Sequence, residues 1–465
     1  MIFTSTNLTA IQRSITEARI FNADKRQEVR RVAIEAYRGE QLDNEEWIGK
    51  YISKDLGDIP YSFTRLTRAI VDKRSLTYKE APERLPQGSQ KVLPDTYLEA
   101  SATKDVRMKT MERYTNLLGV NAMMPVLNKE RKRFTYHIIN EFRPYFLPED
   151  THNPYGILYL IHQDTEPTAG HFNEVWAYWD PEFHFLVDGE GKELLRNLQP
   201  ESYPDNPFGI LPITFAHAEE IVDDFWTAGM EDVVHTNQMI DINLTELNYA
   251  LRYQAFGQLY VAGKNVSGDK LKTGYDQVMI IDGEDVTAGV LNFNAPLDKH
   301  IQAIRFQIEL LNNNNSLTTK WKLEGNPASG FSLMVQNIEL LEAREDDLEM
   351  WRMFEKDLYA VEKVVWEKSG MGTLPEGMSV NFVEPSFPLN PNEQRDKDEW
   401  ELEKGLVSIV DLFKKGNPDS GKSDDQIKQM LIDNATLNKE VKPAQPVNAL
   451  AKVFGGLNMN NRRDE

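Results

Sequence analysis

Residues 312–330 read NNNNSLTTKWKLEGNPASG, and residues 331–369 continue FSLMVQNIELLEAREDDLEMWRMFEKDLYAVEKVVWEKS. The first half is a polar asparagine run, a short basic loop carrying Trp321, and a turn. The second half places Met334, Ile338, Leu341, Leu348, Trp351, Phe354, Leu358, Val361 and Val365 at spacings of three, four and seven, which predicts one long helix with a buried stripe. The whole span would be roughly 55–60 Å long at 1.5 Å per residue, longer than a small domain is wide. A rod of that size crosses a large molecule or packs against copies of itself.

The rest of the composition bounds what such a rod belongs to. At 465 residues the chain can bury a sizeable core and form several domains. Its 52 basic and 73 acidic residues leave a net charge of −21, which argues against a surface that grips nucleic acid, because tight binding needs phosphates neutralised by Lys and Arg. An acidic wall that DNA slides past stays compatible with that balance. With no cysteine, neither a disulfide framework nor a cysteine-based zinc site can form. Residues 1–21 lack a signal-peptide core and no run approaches membrane-spanning length, so a soluble, cytosolic chain with no membrane association is expected.

Outward from the rod, the chain reads as helices around a β region. Residues 8–38 are helical in period, with Ile15, Ile20, Val29, Val32, Ile34 and Tyr37 as apolar positions, and Tyr37-Arg38-Gly39 stops the pattern. Residues 62–78 repeat the period. Their cations Arg65, Arg68, Lys73 and Arg74 form either a phosphate-binding face or a solvated face paired with neighbouring acids, and the second reading is preferred. APERLPQG is read as a connector to a third helix over 95–118. Strands are then expected at 122–127, 134–142, 156–162, 174–179 and 183–187, an antiparallel region bounded by Pro, Gly and Asp turns. Helices follow over 224–255 and 297–311. Between them residues 256–294 carry LYVAG, QVMII and AGVLNF among regularly spaced glycines, a small α/β module. One further strand is expected from Met378 to Phe387, and charged helices over 393–415 and 424–437. The predicted class is α+β, predominantly helical.

Catalytic motifs do not emerge. Gly189-Glu190-Gly191-Lys192 lacks the spacing and the following Ser or Thr of a phosphate loop, so it is read as a turn. His217, His235 and the acids Glu219, Glu220, Asp223 and Asp224 have no metal-ligand spacing, and the acids are read as a capped helix start. The eight histidines have no nucleophile context. No catalytic residue, metal ligand or cofactor is therefore assigned. A motif-poor acidic chain favours a scaffold or channel over an enzyme.

The order of parts from about Asp24 to Leu437 resembles the portal protein of tailed bacteriophages. The residues that carry the resemblance are Tyr37-Arg38-Gly39, then Phe208-Gly209-Ile210-Leu211-Pro212 before Asp223 and Asp224. The helix with Asn243, Asn248 and Tyr249 follows, then Leu259-Tyr260-Val261-Ala262-Gly263. Last comes Asn326 to Val335, where Ser329-Gly330 precedes the long helix and its Glu342, Arg344 and Trp351. Phe331-Ser332 departs from the smaller apolar residues expected there.

The resemblance implies a wing, stem, clip and crown around a central channel. Residues 1–223 would be the wing, 224–255 and 295–313 the stem helices, and 256–294 the clip. A tunnel loop over 314–328, a long wing helix over 329–369, a returning strand over 370–392 and crown helices over 393–465 would complete it. It also implies a homo-oligomeric ring, typically a dodecamer, located in the virion at one capsid vertex after assembly in the host cytoplasm. Its partners would be double-stranded DNA passing non-specifically, the terminase large subunit, a head–tail adaptor, and the major capsid and scaffold proteins. Lys320, Trp321 and Lys322 would face DNA; a tryptophan anchoring the loop between two solvated lysines is the alternative. Lys264, Lys270, Lys272 and Tyr275 would lie on the clip, with solvated surface as their ordinary reading, and Ser329, Gly330, Trp351 and Phe354 would pack the long helix. Two other functions remain open: a different ring-shaped head–tail connector, and an acidic enzyme with dispersed carboxylates.

Overall fold

A computed structural model describes residues 25–40, 61–88, 92–163, 174–188, 205–256, 258–264, 284–291, 297–317, 338–383, 391–417 and 421–441. The chain divides into two compact units, one of 1–324 with 334–386 and one of 325–333 with 387–465. It is α+β, with more residues in helix than in strand.

In the first unit, helix α1 spans Lys25–Arg38 and ends at Gly39, whose φ of 79° lets its N–H reach back to the Glu35 carbonyl. Of the expected apolar positions Ile34 and Tyr37 are buried and Val32 half-buried, Ile15 and Ile20 lie outside the described residues, and one position departs. Val29 is exposed, whereas Arg30 is buried and donates to the carbonyl oxygens of Leu118 and Val120, each at 2.8 Å, and of Asn140 at 2.6 Å. Helix α2, Leu66–Arg74, is shorter than the predicted 62–78. Two of the four cations, Arg68 and Arg74, pair with neighbouring acids, as the preferred reading had it. Arg74 grips Asp347 through two hydrogen bonds at 2.5 and 3.2 Å, and Arg68 lies 3.7 Å from Asp72 and over the Tyr37 ring.

The segment read as a connector is instead strand β1, Glu83–Gln87. It pairs antiparallel with β11, Gly377–Asn381, the returning strand expected near Met378. Both are edges of a two-stranded sheet, which is where a strand containing Pro86 can sit. The single helix expected over 95–118 is two, α3 at Asp95–Ala100 and α4 at Lys104–Leu118.

The β region lies where the sequence expects it, but burial alternates mainly at 133–139 and 184–188, residues 120–125 are buried without alternation, and the strand expected at 134–142 is divided between two sheets. Strands β2 (Val120–Asn128), β3 (Arg133–Ile139) and β8 (Thr214–His217) form one antiparallel sheet, in the order β3-β2-β8. Strands β4 (Phe142–Tyr145), β5 (Gly156–Gln163), β6 (Glu174–Trp179) and β7 (His184–Asp188) form a meander. Buried Asp180 accepts from the N–H groups of Glu182 and Phe183 and from the Tyr178 hydroxyl, and the Asn206 amide donates to the carbonyls of Asp180 and Ile210. Those bonds hold the 206–212 segment against the sheet. The phosphate-loop look-alike at 189–192 lies outside the described residues.

Helix α5 spans Glu231–Phe256, β9 Gln258–Lys264, β10 Glu284–Leu291, α6 Leu297–Asn314 and α7 Ile338–Lys368. The acids at 219–224 do not open a helix. They stand in bends before α5, and the first-turn acids are Glu231 and Asp232. At 31 residues α7 is about 46 Å long. Its stripe buries Leu348, Trp351, Phe354, Leu358, Val361 and Val365 as expected, but Ile338 is exposed and Leu340 takes its place; Met334 lies outside the described residues. Leu348 to Val365 form the main core with Met108, Met111, Phe134, Tyr136, Met378 and Val380, while Leu340 packs with Ile70, Val233, Leu311 and Leu317.

In the second unit, α8 spans Pro391–Glu403, α9 Ile409–Gly416 and α10 Asp424–Val441. The single helix expected over 393–415 is divided into α8 and α9, with Gly405, φ 69°, between them. Ser408 and Asp411 close a reciprocal capping box at the start of α9.

Candidate functional site

Three assemblies stand out in the first unit, and two of them involve residues the sequence singled out. The first is the element α5–β9–β10–α6. Near the start of α5, Val233 shares a cluster with Leu311 of α6; further on Asn243 donates to Gln307 at 3.0 Å; and Ile240 and Leu247 pack with Ile304, Leu297 and Ile301. The partners descend on α6 as they ascend on α5, so the helices are antiparallel. Strands β9 and β10, antiparallel to each other, join their far ends. A 26-residue helix and an 18-residue helix thus carry a two-stranded antiparallel sheet.

The 62–67 segment is fastened along α5 by polar side chains four residues apart. Asn237 accepts from the N–H and hydroxyl of Thr67, at 2.8 and 3.1 Å, and Asp241 accepts from the N–H and hydroxyl of Thr64, at 2.8 and 2.7 Å. Thr245 accepts from the Ser62 N–H, and the Asn248 amide donates to the Ser62 hydroxyl. Asn237, Asp241 and Thr245 are all buried, and a helix can bury them only because each meets its partner. Asn248 was singled out in the sequence. The i, i+4 spacing of the other three was the signal available for them.

The second assembly is an ionic cluster under α7. The Lys104 ammonium lies 3.2 Å from Glu355 and 3.0 Å from Glu362, and Arg84 contacts Glu355 at 2.7 and 3.1 Å and Asp105 at 2.6 Å. Tyr97 donates to Glu362 at 2.6 Å and Tyr78 to Glu355 at 3.1 Å. Both glutamates are fully buried. Burial alone pushes the Glu355 carboxyl up, but the ammonium of Lys104 and the guanidinium of Arg84 outweigh it and hold it at about 2. Burial, with Glu362 beside it, drives the Tyr97 phenol well above its usual range. Nearby, burial lifts Glu112 to about 7 although the Thr77 and Tyr78 N–H groups donate to it. With every cation engaged, this cluster is suited to fixing α7 across β1, α3 and α4.

The third is the corner between α4 and β2. Gly119 has φ 80°, and a Cβ on it would stand 2.0 Å from the Thr227 carbonyl oxygen. A Cβ on Gly229 would stand 2.4 Å from the Leu117 carbonyl oxygen. The close crossing lets the Thr227 hydroxyl and the Ala218 N–H donate to Gly119 O, and the Met230 N–H donate to Leu117 O. The start of α5 is thereby set against the start of β2. Beside it His217 is buried with its ring edge-on to Phe225, and burial lowers its imidazole to about 4. Burial likewise takes His184, stacked on Trp179, to about 3.

Of the residues assigned from sequence, Trp351 and Phe354 are buried in the main core with their rings 5.6 Å apart. Lys264 is on β9, exposed, and 3.8 Å from Asp285. Lys270, Lys272, Tyr275, Lys320, Trp321, Lys322, Ser329 and Gly330 lie outside the described residues. Sequence reasoning missed Arg30, Arg84, Lys104, Glu355 and Glu362, whose partners are distant along the chain. No helix among the described residues is long and apolar enough to cross a membrane.

No family model matches this chain, and no curated protein matches it. Among solved structures it is similar to a chain in the neck of an empty GTA particle computed with C6 symmetry. There the TM-score is 0.33 and the identity 10%, over 75% of this chain and 88% of that one. It is also similar to a chain in the neck of a native GTA particle computed with C12 symmetry, at TM-score 0.34 and 10% identity over 74% of this chain and 88% of that one. Both scores fall below the range in which two chains share a fold, so the likeness to these symmetric particle necks is slight.

Proposed function

We propose that this protein is a phage portal protein: a non-enzymatic ring at one capsid vertex through which double-stranded DNA is packaged and ejected. In this reading α5 and α6 are the stem, the β9–β10 pair is the part presented to the terminase large subunit and later to a head–tail adaptor, and α7 runs through the wing beside the channel. The observation that carries it is the antiparallel pair α5 and α6 with the paired strands β9 and β10 at one end, followed in sequence by the polar stretch 312–330 and the 31-residue helix. That is the order of parts the resemblance implies. The net charge of −21 supports it independently, since each retained phosphate contact would brake a sliding duplex. A closed ring built from one chain needs two different side surfaces on each subunit, and long amphipathic helices supply them.

Purified protein imaged in negative stain should give closed rings with a central channel. Replacing residues 257–294 by a short linker should leave those rings intact and abolish binding to the terminase large subunit. A monomer or two-fold dimer would overturn the ring and favour the acidic-enzyme reading. Rings that bind terminase normally without that segment would favour a different head–tail connector.

A further inference from the structure

Two charged surfaces of the first unit lack partners of opposite sign among the described residues. The first is the β2–β3 turn, residues 128–133, NKERKR. All six are exposed, and the turn is shaped by Asn128 accepting the Arg131 N–H at 2.9 Å and by a left-handed Lys132, φ 49°. Lys129, Arg131, Lys132 and Arg133 stand there against the lone acid Glu130, with no ion pair to any of them among the described residues. A concentrated cationic tip is unusual on a chain of net charge −21.

The second is a groove of about 980 Å³ between the bend after β8, the start of α5, the end of α6 and one face of α7. Its lining includes Glu219, Glu220, Asp232 and Asp346, none of them in an ion pair among the described residues. Arg74, the cation among the described residues that line it, is engaged by Asp347. The groove also holds Met350 and Met353, unbranched side chains that adapt to what enters.

The register of β2 fixes how far apart these surfaces are. Val120 opens the strand opposite His217, and the Ala218 N–H donates to Gly119 O, so the acidic bend lies at the beginning of β2. The cationic turn lies at its end. Nine residues at about 3.3 Å each separate them by about 30 Å. A protomer therefore does not seat its own tip in its own groove, and two different surfaces of one chain that complement each other make a heterologous contact, the kind that closes rings.

We propose that the β2–β3 tip of one copy seats in the acidic groove of the next. This inference rests on the ring reading and adds the contact that would assemble it. The cations meet the carboxylates at an exposed rim, so the contact steers and registers the subunits and weakens as salt rises.

The test uses the full chain in sedimentation velocity at low and high salt, with three variants: Arg131→Glu/Lys132→Glu, Glu219→Lys/Glu220→Lys, and the two combined. Each reversal alone should weaken association by about tenfold or more, and the combined swap should restore it to within about threefold of the parent. Circular dichroism checks folding, and a variant that fails it is replaced by its alanine counterpart, for which weaker association without rescue is expected. Reversals that assemble normally, or a combined swap that stays as weak as either parent, overturn the contact. Normal assembly with lost retention of duplex DNA by the tip variant also overturns it, and assigns the tip to phosphate. If the parent chain forms rings and the reversals do too, the contact alone falls. A monomeric parent overturns the contact and the ring together.

Discussion

Lys104→Met removes the ammonium that bridges Glu355 and Glu362 while keeping the length of the side chain. Glu355 keeps both contacts from Arg84, but Glu362 is left with the Tyr97 hydroxyl and no cation among the described residues. Breaking a buried pair by removing one partner costs about 3–5 kcal/mol, because the remaining charge stays buried. Lys104 and Arg84 together hold the Glu355 carboxyl at about 2 in the folded protein, below its ordinary 4.5. Its folded value is depressed, so this stabilisation is fully present above pH 4.5 and is lost as pH falls through about 2.

The assay is urea unfolding at pH 7 followed by tryptophan fluorescence, since Trp351 and Trp366 are buried in the same core. Lys104→Met should lose about 3 kcal/mol and begin its acid-induced loss at higher pH than the parent. Lys104→Met with Glu362→Gln should recover much of the loss, because the orphaned charge is gone. A loss below about 1 kcal/mol, or a double variant whose losses simply add, would refute the reasoning.

Gly119→Ala should destabilise by about 2 kcal/mol or more in the same assay, since the added Cβ meets the Thr227 carbonyl at a backbone angle that favours glycine. His217→Phe addresses a histidine kept neutral by burial, whose contribution is present above pH 6.5 and lost as pH falls through about 4. The variant's stability should fall less than the parent's between pH 6.5 and 4, and an unchanged slope would remove that assignment. Lys320→Glu with Lys322→Glu should leave assembly intact and impair DNA packaging or retention in infected cells; unchanged packaging would count against the tunnel-loop role.

What could be read from the sequence divides along a physical line. The stripe of α7 was legible from Leu348 to Val365, because apolar burial on a helix repeats locally. The charged residues on the same buried face were not. Arg344 donates to the carbonyls of Leu76 and Val383, and Glu355 meets Arg84 and Lys104, partners that adjoin it only once the chain has folded. Strand β1 was missed for a related reason: ERLPQ has no apolar alternation, and its partner is almost 300 residues away. Strands β2, β3, β5, β6 and β7 were found as short apolar runs between turns, with alternate burial in β3 and β7 but not in β2 or β6, whereas the four-residue strands β4 and β8 were not expected. The charge of the 128–133 turn went unremarked in the sequence, because its complement is gathered from three separate stretches, near 219, 232 and 346, that only the fold brings together.

The most direct measurement is cryo-electron microscopy of the assembled particle. The account predicts a ring of this chain at a single vertex between head and tail, with α7 beside a channel that holds DNA. Density for the chain throughout the shell, in the tail alone, or nowhere in the particle would contradict it.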